Sequence, residues 1–290
     1  MHSRELGLVL AEQLLDIDDL HYGWWEEGEP PSLAGMKAAQ ERYSQKLIDA
    51  VERLSPPGAR ILDVGCGTGH LMQKLLLRGF RVDGVIPAPW LEKRVRERLA
   101  TVEAAAADGY RPTVFPCMFE NMPDAARAEP YDLILFSESF QYIPLDASLP
   151  MLRALLVSDG RVLVCDFFKT AHHGDGGPGD KSFGGGHKIA RFHAALETHR
   201  FELLEDQDVT RFISPSVALV DQLLRQRIGP AMGSIDQYIS ARIPRIRKLL
   251  GWIFRRKIAR LRYNYLAENR TQAVFERYKT YRLLALQPRP

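Results

Sequence analysis

The sequence predicts an α/β fold: a doubly wound, mostly parallel, seven-stranded sheet with an N-terminal helical cover and a C-terminal helical lid. Three observations predict this class. Short apolar segments typical of strands alternate with longer segments of helical periodicity. Three of the four residues in Ile61–Val64 are apolar, as in a strand buried on both faces. A glycine-rich turn and a helix follow that run directly, which is typical of the ligand-binding edge of a parallel sheet.

The N-terminal segment, residues 1–56, is expected to cover the sheet. Apolar residues at helical spacing predict a short helix over 6–14 and an amphipathic helix over Leu33–Leu54. Between them, Trp24 and Trp25 lie close to glycines. Such a loop either covers a ligand or docks the segment on the core. Successive strand residues point to opposite faces, so a strand could not turn both tryptophans inward.

The central segment, residues 57–210, is predicted to be the core. It contains five strand segments, at about 61–64, 81–86, 113–115, 131–136 and 161–168. Helices are expected between them, over 71–77, 92–107 and 149–156. A further helix and strand are expected within 189–205.

The segment 169–187 contains seven glycines, interspersed with histidines and charged residues. Long glycine-rich loops are either surface linkers or functional loops that close over a substrate. We expect a mobile surface linker here, with a loop that covers the substrate as the alternative.

The C-terminal part is predicted to contain a helical lid, residues 211–272, and a closing segment, 273–290, with an edge strand at Tyr281–Leu286. Residues 241–262 hold nine Lys or Arg and no Asp or Glu, and apolar residues recur there at helical spacing. A basic amphipathic helix can cap a core with its apolar side or lie on an anionic membrane. We expect the lid, with a peripheral membrane contact through 241–262 as the alternative.

Composition argues against several classes of protein. Of the 290 residues, 46% are hydrophobic and 26% are charged, which is typical of a globular chain. The three cysteines are too widely spaced for a disulfide framework or a zinc site, so we expect no metal and a cytoplasmic location. A net charge of +3 gives no argument for nucleic acid. We expect neither a signal peptide nor a membrane span, because no apolar run has the required length.

The turn after the first strand carries the clearest functional signal: Asp63, then Gly65, Cys66, Gly67, Thr68 and Gly69. Glycine tolerates positive φ and lacks a Cβ, so this backbone can turn sharply and approach a ligand. Free N–H groups at the start of the next helix favour a polar or anionic ligand group. A dinucleotide-binding turn needs Gly-x-Gly-x-x-Gly, but His70 occupies the position of its third glycine.

This Gly-x-Gly-x-Gly turn resembles motif I of the class I S-adenosylmethionine (SAM) methyltransferases. Residues 20–168 are most similar to the cyclopropane fatty acid synthase group and its small-molecule methyltransferase relatives, through His21-Tyr22, Gln40, Ile61–Gly69, Phe119-Glu120 and Ser137–Tyr142. The resemblance implies a Rossmann-like fold, with SAM as cofactor and S-adenosylhomocysteine (SAH) as product. It implies a cofactor site formed by Tyr22, Asp63, Gly65, Cys66, Gly67, Thr68, Gly69, Ile86, Phe119, Glu120 and Ser137.

Two positions depart from the pattern of many class I enzymes. The acid that binds the ribose hydroxyls at the end of the second strand is replaced by Ile86. The cyclopropane synthase group also lacks this acid and has an aromatic–acid pair after the third strand. By that resemblance, Phe119 stacks on adenine and Glu120 accepts its amine hydrogens, with Met118 as the alternative position for the acid. The group's glutamate that holds a bicarbonate base is matched by Gln141, which cannot supply a carboxylate. We therefore expect methyl transfer rather than cyclopropanation.

The resemblance implies in-line transfer of the sulfonium methyl group to a nitrogen, oxygen, sulfur or carbon atom of a small acceptor. A hydroxyl or a carbon acid needs a base, for which the candidates are Glu138, Tyr142 and His187, with His172 or His173 as the alternatives. An apolar pocket for a lipophilic or aromatic acceptor is expected from Trp24, Trp25, Phe140, Gln141 and Tyr142.

Three alternatives to small-molecule methyl transfer remain at this point. The first is a different SAM reaction, either intramolecular cyclisation or aminocarboxypropyl transfer. The second is a fold that has lost its cofactor, and the third is a lipid-modifying methyltransferase at the membrane surface. A monomer or a homodimer is expected.

Overall fold

A computed structural model describes residues 19, 21–102, 109–243 and 268–289, together with positions 245, 247, 252–256, 259 and 263. The strands are β1 (Arg60–Val64), β2 (Arg81–Val85), β3 (Val114–Phe115), β4 (Tyr131–Ser137), β5 (Leu156–Lys169), β6 (Phe201–Asp208) and β7 (Lys279–Pro288). They form one sheet in the order β3-β2-β1-β4-β5-β7-β6. β1 to β5 run parallel, and β7 is antiparallel to both β5 and β6. The predicted fold class is confirmed.

The helices lie on both faces of this sheet. They are α1 (Leu33–Leu54), α2 (His70–Leu77), α3 (Pro89–Ala100), α4 (Leu145–Leu155), α5 (Ile189–Thr198), α6 (Thr210–Leu223), α7 (Gly229–Arg242) and α8 (Gln272–Tyr278). A π-helical turn, Leu224–Ile228, joins α6 to α7. The Ser32 hydroxyl caps α1 by accepting the Gly35 N–H. α3 begins at Pro89, earlier than predicted, because the first helical turn does not need the N–H that proline lacks.

The core forms one apolar layer on each face of the sheet. Ile61 and Leu133 pack on the same side as the buried face of α1. Their strand neighbours Leu62 and Ile134 point to the other side and pack with apolar residues of α4 and α5. Alternation along each strand thus supplies both layers, as expected for a sheet covered on both faces.

The last strand does not lie at an edge, so the predicted edge strand is wrong. β7 lies between β5 and β6, and Tyr281, Leu284 and Leu286 are fully buried. β6 is the edge instead, and four of its eight residues are acidic. Because edge strands face water, the charged strand takes that position and the apolar strand is enclosed.

The glycine-rich loop is anchored to the core, which differs from the surface linker that we expected. Phe183 is buried and packs edge-on against Phe275 of α8. The buried Asp180 carboxylate accepts the Gly174 N–H at 2.8 Å. The ammonium of Lys279, itself buried, donates to the Gly185 carbonyl at 2.6 Å.

Both tryptophans of the N-terminal segment are buried, because the segment is not a strand of the sheet. The Trp24 ring stacks on Phe212 of α6 with 4.9 Å between centroids. The Trp25 indole N–H donates to Ser216 of the same helix at 2.8 Å. The aromatic segment therefore docks on the core, which is the second of the two interpretations considered from the sequence. The predicted helix over 6–14 lies outside the described residues.

The predicted lid separates into two unlike parts. α6 buries Ile213 and Val217 against the core. α7 has no buried residue. Half of the residues in 241–262 lie outside the described part of the chain. Within the described part of the chain, no helix has the length and apolar character that a bilayer crossing requires.

Candidate active site

A cleft of about 300 Å³ opens at the carboxyl ends of β1, β2 and β4. β1 lies between β2 and β4, so the strand order reverses at this point. Ligands of open α/β sheets bind at such a switch point. The walls are formed by the turn after β1, Ile86-Pro87 after β2, Met118–Glu120 after β3, and Ser137–Ser139 with Tyr142 after β4, together with Asp19 and His21.

The three glycines of the turn have left-handed backbones but different surroundings. Their φ angles are 77° for Gly65, 57° for Gly67 and 78° for Gly69. A Cβ on Gly65 would lie 2.5 Å from the Ser139 Cβ, and one on Gly69 would contact Val95 at 3.2 Å. A Cβ on Gly67 would meet no protein atom within 4 Å. Gly67 lines the cleft, so its backbone is the part of the turn that a ligand can approach most closely.

Asp63 and Cys66 line the cleft beside this turn. Burial raises the pKa of Asp63 to about 7, because the charged carboxylate loses water. Burial also raises the pKa of the Cys66 thiol well above its ordinary value. The thiol is therefore held as a neutral wall group rather than as a nucleophile.

The wall after β2 and β3 combines apolar surface with one unpaired carboxylate oxygen. Ile86 is buried there, so the position that often carries a ribose-binding acid is apolar in the folded protein too. Phe119 is nearly covered and packs edge-on against Phe136, whereas the neighbouring Met118 is 42% exposed. Glu120 Oε2 is buried and accepts no hydrogen bond from the described residues. A ligand N–H or O–H would satisfy that oxygen.

Glu138 enters the cleft at the end of β4 with a strained backbone. Its φ is 55°, a left-handed conformation that non-glycine residues rarely adopt. Glu138 Oε1 accepts the Tyr22 backbone N–H and the Tyr281 hydroxyl, each at 2.8 Å. Burial raises the pKa of Glu138, although nearby His21 and these two hydrogen bonds act in the opposite direction. A positioned carboxylate with a raised pKa is suited to accept a proton.

A chain of hydroxyl groups links Glu138 through the buried Tyr281 and Tyr43 to Ser137, which also lines the cleft. The Tyr281 hydroxyl lies 3.1 Å from the Tyr43 hydroxyl, which in turn lies 3.2 Å from Ser137 Oγ. Tyr281 comes from β7 and is 143 residues from Glu138 in sequence. No local pattern marks this tyrosine, so sequence reasoning did not identify it.

A second polar cluster forms one end of the cleft. Asp19 Oδ2 accepts a hydrogen bond from His70 Nδ1 at 2.9 Å and lies 3.5 Å from His21 Nε2. Burial opposes the charge, but the hydrogen bonds from His21 and His70 hold the pKa of Asp19 well below its usual range. Burial likewise opposes the imidazolium, but the Asp19 carboxylate raises the pKa of His21. Asp19 lines the cleft but went unrecognised as a site residue, because only the fold brings it to the cleft and to His70.

Several predicted site residues do not line the cleft. Phe140 is fully buried among aromatic rings, and Gln141 donates from its backbone and side chain to the buried Asp166. His187 Nε2 donates to the Phe140 carbonyl at 3.1 Å. The Tyr22 ring packs edge-on against Phe275 and Tyr281, Gly69 caps α2, and Trp24 and Trp25 are core residues.

The remaining predicted positions meet in the cleft. They are Asp63, Gly65, Cys66, Gly67, Thr68, Ile86, Phe119, Glu120, Ser137, Glu138 and Tyr142. Of the three predicted bases, Glu138 and Tyr142 are in this group and His187 is not. The Tyr142 ring is 56% exposed, so it presents an aromatic surface at the cleft.

A ligand cleft at the switch point of a doubly wound sheet defines an α/β protein that binds a small molecule at the strand ends. Comparison with protein families then identifies the family to which this α/β protein belongs. The model of a methyltransferase domain family matches residues 39–214, which include the whole of β1 to β6. The chain belongs to this methyltransferase family, whose methyl donor is SAM.

Known proteins of this kind are similar in sequence and in structure. The chain is 31% identical over 165 residues to a ubiquinone biosynthesis O-methyltransferase of Hahella chejuensis, covering 56% of this chain. The chain spans 62% of that relative's length. Geranyl diphosphate C-methyltransferase from Streptomyces coelicolor is 16% identical with a TM-score of 0.63, covering 97% of this chain and 92% of that one.

A mycolic acid cyclopropane synthase, solved with SAH, is 17% identical with a TM-score of 0.64 and covers 92% of this chain and 89% of that one. At these identities, the two solved structures show the shared fold. The likeness to a cyclopropane synthase agrees with the group that the sequence resembles.

Proposed function

We propose that this chain transfers a methyl group from SAM to a hydroxyl group of a small lipophilic or aromatic acceptor. The observation that carries the proposal is Glu138. It is the cleft carboxylate that the fold orients with two hydrogen bonds and a strained backbone, and its raised pKa suits proton acceptance.

The residues of the cleft fit SAM. Gly67 offers open backbone for close approach, and Glu120 offers a buried oxygen that accepts no hydrogen bond from the described part of the chain. Asp63, Thr68 and Ser137 add polar groups around a largely apolar cleft. SAM, when bound, supplies an electrophilic methyl group that needs no further activation by the protein.

The protein's own task is then to position the acceptor and to remove its proton. Glu138 lines the cleft, and hydrogen bonds from the Tyr22 N–H and the Tyr281 hydroxyl to Oε1 restrict the orientation of its carboxylate. A hydroxyl placed against Glu138 would lose its proton to the carboxylate as the new bond forms. A neutral amine acceptor would not need such a base, and for this reason we favour oxygen.

The acceptor class is supported by exposed apolar groups at the cleft and by the relatives. Met118 and Tyr142 both present side chains there. The curated relative is named as an O-methyltransferase of ubiquinone biosynthesis. A structural neighbour holds geranyl diphosphate in its crystal structure. Both names point to an acceptor with a long apolar portion.

The test combines calorimetry with SAM and SAH and an assay on lipophilic phenols and alcohols. We expect saturable binding of both nucleosides and formation of SAH in step with a methyl ether. Formation of methylthioadenosine instead would show the other SAM chemistries. The variant Glu138→Gln should bind SAM as the wild type does and lose about a hundredfold or more in kcat.

The pH profile separates a base from a structural role. Burial raises the pKa of Glu138, so the acid limb of the wild-type pH–activity profile should lie at a higher pH than an ordinary carboxyl group would give. Activity should fall as the pH drops through this limb. Tyr281→Phe removes a hydrogen bond that favours the charged carboxylate, so its acid limb should move to higher pH. Full activity of Glu138→Gln, or an unchanged limb in Tyr281→Phe, would contradict this role.

A further inference from the structure

α7 is the helix of the described chain that gains least from the core. None of its residues, Gly229–Arg242, is buried. Its large apolar side chains are nevertheless in contact with water: Met232 is 58% exposed and Tyr238 is 64% exposed. Most helix stability in proteins comes from burial of an apolar face, which α7 does not obtain from the rest of the described chain.

The apolar residues of this region form one stripe, which we call the α7 stripe. It consists of Ile228, Met232, Ile235, Ile239 and Ile243, spaced by four, three, four and four residues. At 3.6 residues per turn, this spacing places Met232, Ile235 and Ile239 within a narrow arc of α7, while Ile228 ends the π-helical turn before the helix and Ile243 follows its last residue. The opposite side carries small or polar residues, among them Ser234, Gln237 and Ala241.

The chain that follows the stripe is strongly basic. Residues 241–262 contain nine Lys or Arg and no Asp or Glu. Arg242, Arg245, Arg255 and Arg256 are exposed, and Arg247 pairs with Asp236 on α7 at 2.7 Å. Trp252 lies in the same basic stretch and is 67% exposed. Tryptophan is enriched where an apolar interior meets water at a membrane interface.

We propose that the α7 stripe and the exposed arginines after it, Arg242, Arg245, Arg255 and Arg256, dock the protein on the surface of an anionic lipid bilayer. An apolar stripe can enter the boundary between headgroups and acyl chains, while arginines reach the lipid phosphates. A second copy of the chain would bring the same cations together and be repelled. Nucleic acid would match the charge but leave the isoleucines and Met232 in water.

Flotation of the purified full chain with vesicles tests the proposal. One preparation contains phosphatidylcholine alone and the other contains phosphatidylcholine mixed with phosphatidylglycerol. We expect the chain to float with the anionic vesicles at low salt. Its partition coefficient should fall about tenfold or more on the zwitterionic vesicles, because each cation near an anionic surface adds to binding. High salt should also weaken binding to the anionic vesicles, since the Debye length is about 3 Å at an ionic strength of about 1 M.

Matched variants separate the stripe from the bulk charge. Met232→Ser with Ile235→Ser should lower the partition coefficient about tenfold or more, because two apolar side chains that would enter the bilayer are lost. Gln237→Ser with Ala241→Ser changes the opposite side of the same helix and should leave it within about twofold. Arg255→Gln with Arg256→Gln should again cost about tenfold. Arg191→Gln with Arg289→Gln, which removes two exposed arginines from other elements, is the control for net charge.

Other outcomes would overturn the proposal. Absence of flotation with anionic vesicles would do so directly. Equal loss in the stripe variant and its opposite-side control would show that the stripe makes no membrane contact. Binding of a DNA duplex without flotation would assign the cations to nucleic acid. A dimer in sedimentation that the stripe variant abolishes, again without flotation, would assign the stripe to a second copy.

Discussion

The turn at Gly65–Gly69 and the loop at residues 174–186 are both rich in glycine at positive φ, but the space beside their glycines differs. In the turn, a Cβ on Gly67 would enter open cleft. In the loop, a Cβ on Gly177, Gly179 or Gly185 would lie 2.5, 2.3 or 2.2 Å from another side chain. The turn therefore leaves room for a ligand at Gly67, whereas other side chains fill the space beside Gly177, Gly179 and Gly185 in the loop.

This difference shows what glycine density can indicate. A run of glycines predicts a backbone that turns sharply or packs closely, and both segments meet that prediction. The secondary structure around each segment distinguishes the turn from the loop. A buried strand, the turn and a helix enclose Gly67, whereas the loop is held by Phe183 and Lys279 against α8 and β5.

Gly179→Ala should destabilise the protein strongly. The new Cβ would lie 2.3 Å from Val274 Cγ1 and 2.9 Å from the Asn269 carbonyl oxygen, with φ held at 77°. Strain and overpacking together should lower the free energy of unfolding by about 3 kcal/mol, measured by denaturant unfolding. Gly176→Ala is the control, because its φ is 75° and its Cβ would meet open space. It should cost only about 1 kcal/mol. Equal losses would show that the loop is not packed.

Gly67→Ala should affect ligand binding more than folding. Its Cβ would project into the cleft, so we expect the affinity for SAM to fall about tenfold or more in calorimetry, equivalent to about 1.4 kcal/mol. Gly79→Ala has a similar positive φ, 85°, with open space beside it, but lies outside the cleft. It should show a similar loss of unfolding free energy and unchanged affinity. Unchanged affinity in Gly67→Ala would separate the turn from the cofactor.

Lys279→Met should loosen the glycine-rich loop modestly. Burial lowers the pKa of Lys279 to about 7, and the amino group donates to the Gly184 and Gly185 carbonyls. Losing these hydrogen bonds should cost about 1 kcal/mol at pH 9 and speed proteolysis within 169–187. Lys181→Met, an exposed lysine of the same loop, is the control.

The pH dependence of the Lys279 variant has a definite sign. The unfolded chain binds a proton at Lys279 below about pH 10.5 and the folded chain only below about 7. Wild-type stability should therefore decrease as the pH falls from 9 to 7, while Lys279→Met lacks this contribution. The difference in unfolding free energy between the wild type and Lys279→Met should therefore become smaller as the pH falls from 9 to 7. A disadvantage that is constant with pH would show that Lys279 titrates normally in the fold.

The fold was largely predictable because its parallel half is encoded locally. The apolar run at β1 and the periodicity of α1 each specify their own element and its buried face. The position of β7 was not predictable, since apolar residues show that a strand is buried without showing which neighbours pair with it. β6 and β7 became neighbours through antiparallel pairing that only the assembled sheet displays.

The site was predictable where one short segment supplies it. The turn, Glu120 and Glu138 each follow a strand end and therefore reach the same edge of the sheet. Trp24 and Trp25 were predicted in the acceptor pocket but lie in the core. An aromatic loop that covers a ligand and one that packs on a core have the same composition, so the sequence does not distinguish them. The Asp19–His70 pair and the Tyr281–Glu138 pair join residues that are 51 and 143 positions apart.

The amino-acid sequence alone determined the class of fold, the family and the strand ends at which a ligand binds, because period, glycine spacing and strand–turn–helix order are short-range properties. Tertiary structure alone decided which carboxylate is oriented, which aromatic rings are buried and which of the described helices buries none of its residues. Those outcomes depend on burial and on contacts between residues distant in sequence, and neither exists until the chain has folded.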